Sequence, residues 1–130
     1  RARDVLALAP ADVDRLRIAA GETTVQIDRD PSTGQWVPAA PWIDGLLAAL
    51  SPLRAESILP ADAAVPADAF EPPHLVLSVR LRGASGIAAT LTVGAETEPG
   101  GPRLATLRGR DFVFTLPAWT VAALTPPPNP

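Results

Sequence analysis

The stretch VDRLRIAAGETTVQIDRDPSTGQWVPAAPWIDGLLAALSPL, residues 13–53, decides the fold of this chain. Its apolar residues first alternate with polar ones and later recur every three to four positions. Alternation is typical of half-buried strands, whereas the second spacing is typical of an amphipathic helix. The stretch therefore predicts strands followed by a helix, and it carries no obvious reactive side chain.

Three strands are predicted in its first part. Residues 15–18 and 23–28 both alternate, and Gly21 between them favours a hairpin turn. A short third strand is expected around Trp36, ending at Pro38 because proline cannot donate to a strand ladder. The helix is predicted for residues 41–51, since proline suits a first helical turn and Pro52 disfavours helical geometry before it. Its apolar face consists of Ile43, Leu46, Leu47 and Leu50.

The second half repeats the strand signal. Residues 75–81 and 87–93 alternate around a turn at 83–86, and residues 104–107 and 111–116 predict a further hairpin. A helix is expected at 118–124. Residues 53–59 indicate a fourth strand or extended segment, residues 60–73 a loop, 94–102 a solvated loop, and 125–130 a flexible tail.

These elements predict one α+β domain over residues 1–130, with a mainly antiparallel sheet of six to eight strands and two short helices. The run from Pro41 to Pro52 resembles the run from Pro117 to Pro126, and each follows a strand with an aromatic residue. Two hairpin–strand–helix units are one interpretation of this similarity. Chance similarity in an Ala- and Pro-rich chain is the other.

Composition excludes several classes of function. The chain has 130 residues and a net charge of −3, so it has no electrostatic footprint for DNA or RNA. It has no cysteine, which removes disulfides, thiol chemistry and thiolate metal sites. No signal peptide is visible, and no apolar run approaches the ~18–20 residues of a membrane span. Because no initiator Met is present, we expect a fragment of a longer protein.

The chain resembles the bacterial family described as domain of unknown function 4340, over nearly its whole length. The matching positions are Asp12-Val13, Leu16, Ile18, Gly21, Arg29, Trp36, Pro41, Leu46-Leu47, Leu50, Leu53-Arg54-Ala55, Leu91-Thr92-Val93-Gly94 and Asp111-Phe112-Val113-Phe114. Two departures are a shortened segment after Trp36 and Phe70-Glu71-Pro72-Pro73, which keeps an aromatic and a proline but lacks the family's Gly-Leu. The order of the motifs carries the resemblance, since each one alone is mostly a hydrophobic pattern.

This resemblance implies an extracytoplasmic domain in the periplasm or at the cell surface, often repeated, behind an N-terminal anchor in the cytoplasmic membrane. It also implies an accessory role beside ABC transporter components of the gliding-motility type. It implies no known enzyme activity, and no catalytic residue can be carried over. We therefore expect a protein partner in the envelope, or further copies of the domain, and neither a cofactor nor a nucleic acid.

Few residues are candidates for chemistry. His74 is the only histidine, and as a general base it would need a nucleophile within reach. The serines lie in no nucleophile-elbow motif, so a hydrolase is the third-ranked hypothesis. Asp28 and Asp30 are spaced like two calcium ligands, but the other ligands of an EF-hand loop are missing. We therefore predict no catalytic residue and no metal site.

Contacts to a partner or ligand are predicted at Arg80, Arg82 and Trp42. The two arginines share a strand face near Arg15 and Arg17 in the pattern and could form an anion- or partner-binding stripe, with a solvated sheet face as the ordinary alternative. Trp36 and Trp119 are expected to anchor the core. A non-catalytic interaction domain is the first hypothesis, and a glycan- or peptide-binding module that uses a sheet face and an exposed tryptophan is the second.

The sheet edges lead to one further expectation. An uncovered edge strand is a template for strand addition, so we expect weak self-association through paired edges. The apolar lead-in, residues 5–8, should be held either by its own sheet or by a neighbouring copy.

Overall fold

The computed structural model describes residues 4–83 and 86–127, which form ten strands, two α-helices and one short 3₁₀ helix, Pro10–Asp12. The strands β1 to β10 are Asp4–Leu6, Val13–Ala20, Thr23–Arg29, Trp36–Val37, Leu53–Arg54, Ser57–Ile58, Leu75–Leu81, Ala89–Glu96, Arg103–Leu107 and Phe114–Leu116. The helices are α1, Trp42–Ala49, and α2, Ala118–Leu124. The predicted α+β class is confirmed.

Eight strands form one antiparallel sheet in the order β4-β3-β2-β7-β8-β9-β10-β6. Strands β1 and β5 pair separately as a small second sheet. The predicted segment 53–59 therefore divides, because β5 joins the small sheet whereas β6 joins the end of the large one. Strand β8 continues to Glu96 instead of ending before the loop predicted at 94–102, and β10 begins at Phe114 instead of residue 111.

Both helices pack on one face of the large sheet and contact each other. The four side chains predicted for the apolar face of α1 are all buried, with at most 5% exposure. Val121 and Leu124 of α2 belong to the same core. Each helix follows a strand that carries an aromatic residue, Trp36 in β4 and Phe114 in β10. Within the described part of the chain, neither helix has the length and apolarity needed to cross a membrane.

Arg29 binds the first hairpin, formed by β2 and β3, to the segments on either side of it. Its guanidinium donates to the carbonyl oxygens of Val13, Gly34 and Pro10 at 2.8–2.9 Å. The same group lies 4.4 Å from the centre of the Trp36 ring, a cation–π distance. A positive φ of 62° at Gly21 closes the hairpin itself, a backbone conformation that glycine adopts without strain.

The loop between β6 and β7 covers part of the sheet face opposite the helices. Ala95 donates its backbone N–H to the Ala69 carbonyl at 2.8 Å, and Phe70 lies against Gly94. Ala69 is buried there, and so is Leu104, although neither belongs to the main core. The loop therefore covers this face at the Gly94 end of β8 and leaves the part formed by β3, β2 and β7 uncovered.

The two edge strands of the large sheet are short. The edge strands β4 and β6 have two residues each, with Pro38 directly after β4 and Pro60 two residues after β6. Short edges and prolines both limit strand addition. Val5 in the lead-in is 4% exposed, and its strand β1 pairs with β5 of the same chain. The lead-in is thus held by its own chain, and pairing between copies stays a prediction.

Candidate functional site

The candidate site is the uncovered part of the sheet, formed by β3, β2 and β7 and called here the open face. Strand register places its side chains in rows. Arg15 lies opposite Asp28 of β3 on one side and Arg80 of β7 on the other. In the next row, Arg17 lies between Gln26 and Ser78 in the same way. Three arginines thus meet on two neighbouring strands.

Two of these arginines have carboxylate partners. Arg15 Nε donates to Asp28 Oδ1 at 2.6 Å, and Arg80 Nε donates to Asp14 Oδ1 at 2.9 Å. The hydrogen bond from Arg15 lowers the pKa of Asp28, against the opposing effect of desolvation. The hydrogen bond to Asp14 raises the pKa of Arg80 above its already high usual value. Both pKa changes favour the ionised forms of Asp28 and Arg80 at neutral pH.

Arg17 differs from its two neighbours. Its only side-chain hydrogen bond within the described residues runs from Nη1 to the amide oxygen of Gln26, at 3.3 Å. No described carboxylate lies within ion-pair distance of it. With three guanidinium groups and two carboxylates, the cluster carries one surplus positive charge, and the surplus is centred on Arg17.

A pocket of 290 Å³ lies over this cluster. Arg15, Arg17 and Arg80 line it together with Gln26 and Ser78, and Gly86 and Ile87 from the β7–β8 connection form its rim. We call this site the arginine pocket. Ile87 is 58% exposed, so an apolar side chain stands beside the charged groups. The arrangement can hold an anion whose neighbouring atoms are apolar.

Arg82 lies apart from the arginine pocket. It follows the last residue of β7, where its backbone N–H and its guanidinium donate to the carbonyl oxygens of Asp12 and Ala11 at 2.6 and 3.0 Å. It lines a second pocket, of 190 Å³, with Arg29, Asp30 and Asp14, the carboxylate partner of Arg80. Because the strand ends at Leu81, the alternation that predicted a shared stripe with Arg80 does not extend to Arg82.

Trp42 is half-buried and lines a shallow groove of 580 Å³ with His74, α2 and the residues that follow this helix. Trp36 packs partly against the core, in line with its predicted role as an anchor. The same prediction for Trp119 is wrong, since its side chain is 76% exposed. Val121 and Leu124 occupy the core-facing side of α2, which turns Trp119 towards solvent.

His74 lies immediately before β7, half-buried, and its backbone N–H donates to the Val93 carbonyl at 2.8 Å. Burial lowers the pKa of its imidazole, Arg103 lowers it further, and Glu96 acts in the opposite direction. Within the described residues, no side chain forms a hydrogen bond with the ring. Asp68, Glu71 and Thr125 line the same pocket as His74, but none of them forms a hydrogen bond with the imidazole.

The two aspartates considered as calcium ligands have separate roles. Asp28 binds Arg15, whereas Asp30 accepts hydrogen bonds from the backbone N–H and the hydroxyl of Ser32 at 2.8 and 2.7 Å. These bonds from Ser32 lower the pKa of Asp30 and close a turn. Across residues 4–83 and 86–127, no three His, Cys, Asp or Glu side chains are grouped to hold a metal ion.

Asp14, Gln26 and Ser78 belong to the site although the sequence did not single them out. The signal that could have found them is the register between β2 and its two neighbours, which a hairpin turn fixes for β3 but not for β7. Comparison of the chain with family models, with curated proteins and with solved structures gives no match. The likeness to the family described as domain of unknown function 4340 therefore stays a resemblance in sequence.

Proposed function

We propose that this chain is a non-catalytic interaction domain that binds an acidic segment of a protein partner through the open face. The observation that carries the proposal is the surplus charge on Arg17, which lines the same pocket as Arg15 and Arg80, two arginines that already have carboxylate partners. Following the sequence resemblance, the domain works outside the cytoplasm, anchored to the membrane by a segment of the full-length protein. Its partner is then an envelope protein, such as a component of an ABC transporter system.

A solvated face is the ordinary state of one side of an antiparallel sheet, so openness alone does not indicate binding. The arrangement of charge is more specific. A solvated face gains little from fixed ion pairs, yet here both carboxylates are engaged and one guanidinium is left over among the described residues. Arginine is enriched in protein interfaces because its planar donors match carboxylates. A carboxylate from an acidic segment would give Arg17 the kind of partner that Arg15 and Arg80 already have.

The proposal can be tested by crosslinking in the cells that make the full-length protein, followed by affinity capture. The natural protein is compared with Arg17→Gln and with Arg110→Gln, a matched loss of charge at an exposed turn residue outside the arginine pocket. We expect the natural protein and Arg110→Gln to recover the same envelope protein, and Arg17→Gln to lose it. Equal recovery by all three proteins, or recovery of no envelope component, would count against the proposal.

A glycan- or peptide-binding module is the second candidate function. The observation in its favour is the 76% exposure of Trp119, together with the groove beside Trp42. Exposed aromatic rings can stack on apolar faces of a ligand. Titration with soluble glycan fragments should then change the tryptophan fluorescence of the natural protein more than that of Trp119→Ala. An unchanged emission spectrum in both proteins would remove this candidate for the glycans used.

A further inference from the structure

We infer that the arginine pocket takes one carboxylate, that of an aspartate or glutamate side chain flanked by an aliphatic residue in a peptide segment. The inference rests on the proposed function and specifies the chemistry of the group that is bound. It depends on three features of the pocket: its charge, its free donors and its apolar rim.

The charge of the cluster favours a monovalent anion. Arg15, Arg17 and Arg80 contribute three positive charges, and Asp14 and Asp28 contribute two negative ones. One carboxylate therefore neutralises the cluster. A phosphate dianion would instead leave the cluster with a net negative charge. The resident aspartates thus select against a doubly charged ligand.

Free donors converge on the pocket. Each resident ion pair uses the Nε of its arginine, and the terminal nitrogens of Arg15 and Arg80 form no hydrogen bond within the described residues. The hydroxyl of Ser78 is also without a hydrogen bond there, although it lies directly opposite Arg17. A guanidinium fork and a hydroxyl can bind both oxygens of one carboxylate.

The rim indicates what surrounds the carboxylate. Ile87 stands at the pocket with 58% of its surface exposed, and burying an isolated aliphatic side chain is favourable. The volume of 290 Å³ lies at the lower limit of roughly 300–1,000 Å³ for small-molecule sites, which suits one side chain better than a larger ligand. A peptide that places an aliphatic residue next to its acidic residue fits both the pocket and the rim.

The test is a nuclear magnetic resonance titration of the domain, observing the arginine Nε–H signals. The probe is the tripeptide Ile-Glu-Ile with blocked ends, and the same tripeptide with Gln in place of Glu is the matched control. Sodium acetate and inorganic phosphate serve as free anions. We expect the Glu peptide to shift the Arg17 signal in a saturable way, and to bind Arg17→Gln about tenfold more weakly because a charge-assisted contact is lost. Arg110→Gln should bind like the natural chain.

Acetate should shift the same signals more weakly than the Glu peptide. At equal concentrations, phosphate should not displace the Glu peptide better than acetate does. Equal binding of the Glu and Gln peptides, stronger competition by phosphate, or equal weakening in Arg17→Gln and Arg110→Gln would overturn the inference. The amide spectrum of each variant verifies that it is folded. This titration needs no cellular partner, so its failure would leave an interaction through the open face standing. Conversely, loss of the partner in cells would not alter the pocket's affinity for the peptide.

Discussion

At the scale of single residues, Gly94 is held by close contact with the loop that crosses β8. A Cβ atom added at this position would collide with the Ala69 carbonyl oxygen and would lie 2.6 Å from the Phe70 ring. Because a backbone atom cannot simply rotate away, we expect Gly94→Ala to lower the free energy of unfolding by about 1–3 kcal/mol. Urea denaturation of the purified domain measures this change.

Gly45 is the matched control. It lies in α1, and an added Cβ there would meet nothing within 4 Å. Gly45→Ala should therefore stabilise the domain by about 0.4–1 kcal/mol, because alanine restricts the unfolded chain more than glycine. If the two substitutions had the same effect, the contact between Gly94 and the loop would not be the feature that fixes this residue.

His74 provides a prediction about pH. Burial lowers its pKa in the folded protein below the ordinary value of 6.5, so the unfolded chain takes up the proton first as the pH falls. Stability from this residue is therefore complete above pH 6.5, declines as the pH drops below it, and becomes constant once the folded imidazole is also protonated. Arg103 and Glu96 are the charged groups that act on the ring.

The His74 titration can be measured directly, since the chain has only one histidine and gives one imidazole Hε1 signal. We expect its midpoint below pH 6.5. In His74→Gln, the contribution of this residue to the pH dependence of unfolding should disappear. A midpoint above 6.5 would show that the attraction of Glu96 outweighs burial and Arg103.

The residue types alone predicted the positions of some of these side chains and missed others. Arg80 and Arg82 were expected on one strand face near Arg15 and Arg17 in the pattern, and the register between β2 and β7 places Arg80 beside Arg15. The position of Arg82 could not be obtained in this way, because it depends on where β7 ends. The exposure of Trp119 was missed because a large aromatic side chain usually indicates a core, whereas two aliphatic residues of α2 already occupy that space.

At the scale of elements, α1 is stabilised by the burial of its apolar face. Ile43 is 1% exposed, and truncating it would leave a cavity in the packed core. We expect Ile43→Ala to lower the free energy of unfolding by about 2–5 kcal/mol, as measured by urea denaturation.

Ile87→Ala removes the same atoms from a side chain that is 58% exposed. Its effect should stay within about 0.5 kcal/mol, since surface substitutions rarely disturb packing. Comparable losses in Ile43→Ala and Ile87→Ala would contradict the assignment of α1 to the core.

Local patterns predicted most elements because alternation and helical spacing report burial along the chain itself. The strands from residue 13 to 29, the long strand β7 and both helices were obtained this way. The division of residues 53–59 into two strands was not predicted, because β5 and β6 pair with strands that are distant in sequence, β1 and β10. Pairing between distant strands leaves no local signal in the sequence. For the same reason, the sequence did not predict which side chains lie in one row on the open face.

At the scale of the whole molecule, the short edge strands limit self-association of the domain. Strands β4 and β6 offer two residues each, although Val37 and Ile58 are 58% and 43% exposed there. If copies pair through these edges, sedimentation equilibrium should show a weak dimer that Val37→Lys or Ile58→Lys abolishes, because a charge on an edge strand opposes pairing. A strict monomer at high concentration would end the idea of edge pairing.

The central claim is that a partner binds on the open face, and site-specific photo-crosslinking tests it most directly. A benzophenone side chain is introduced at Thr24, an exposed residue of β3 opposite Ala19, or at Asp44 on the exposed side of α1. In cells containing the full-length protein, we expect the Thr24 position to give one defined adduct that Arg17→Gln removes, and the Asp44 position to give none. Equal adducts from both positions, or a Thr24 adduct that Arg17→Gln leaves unchanged, would contradict binding through the open face.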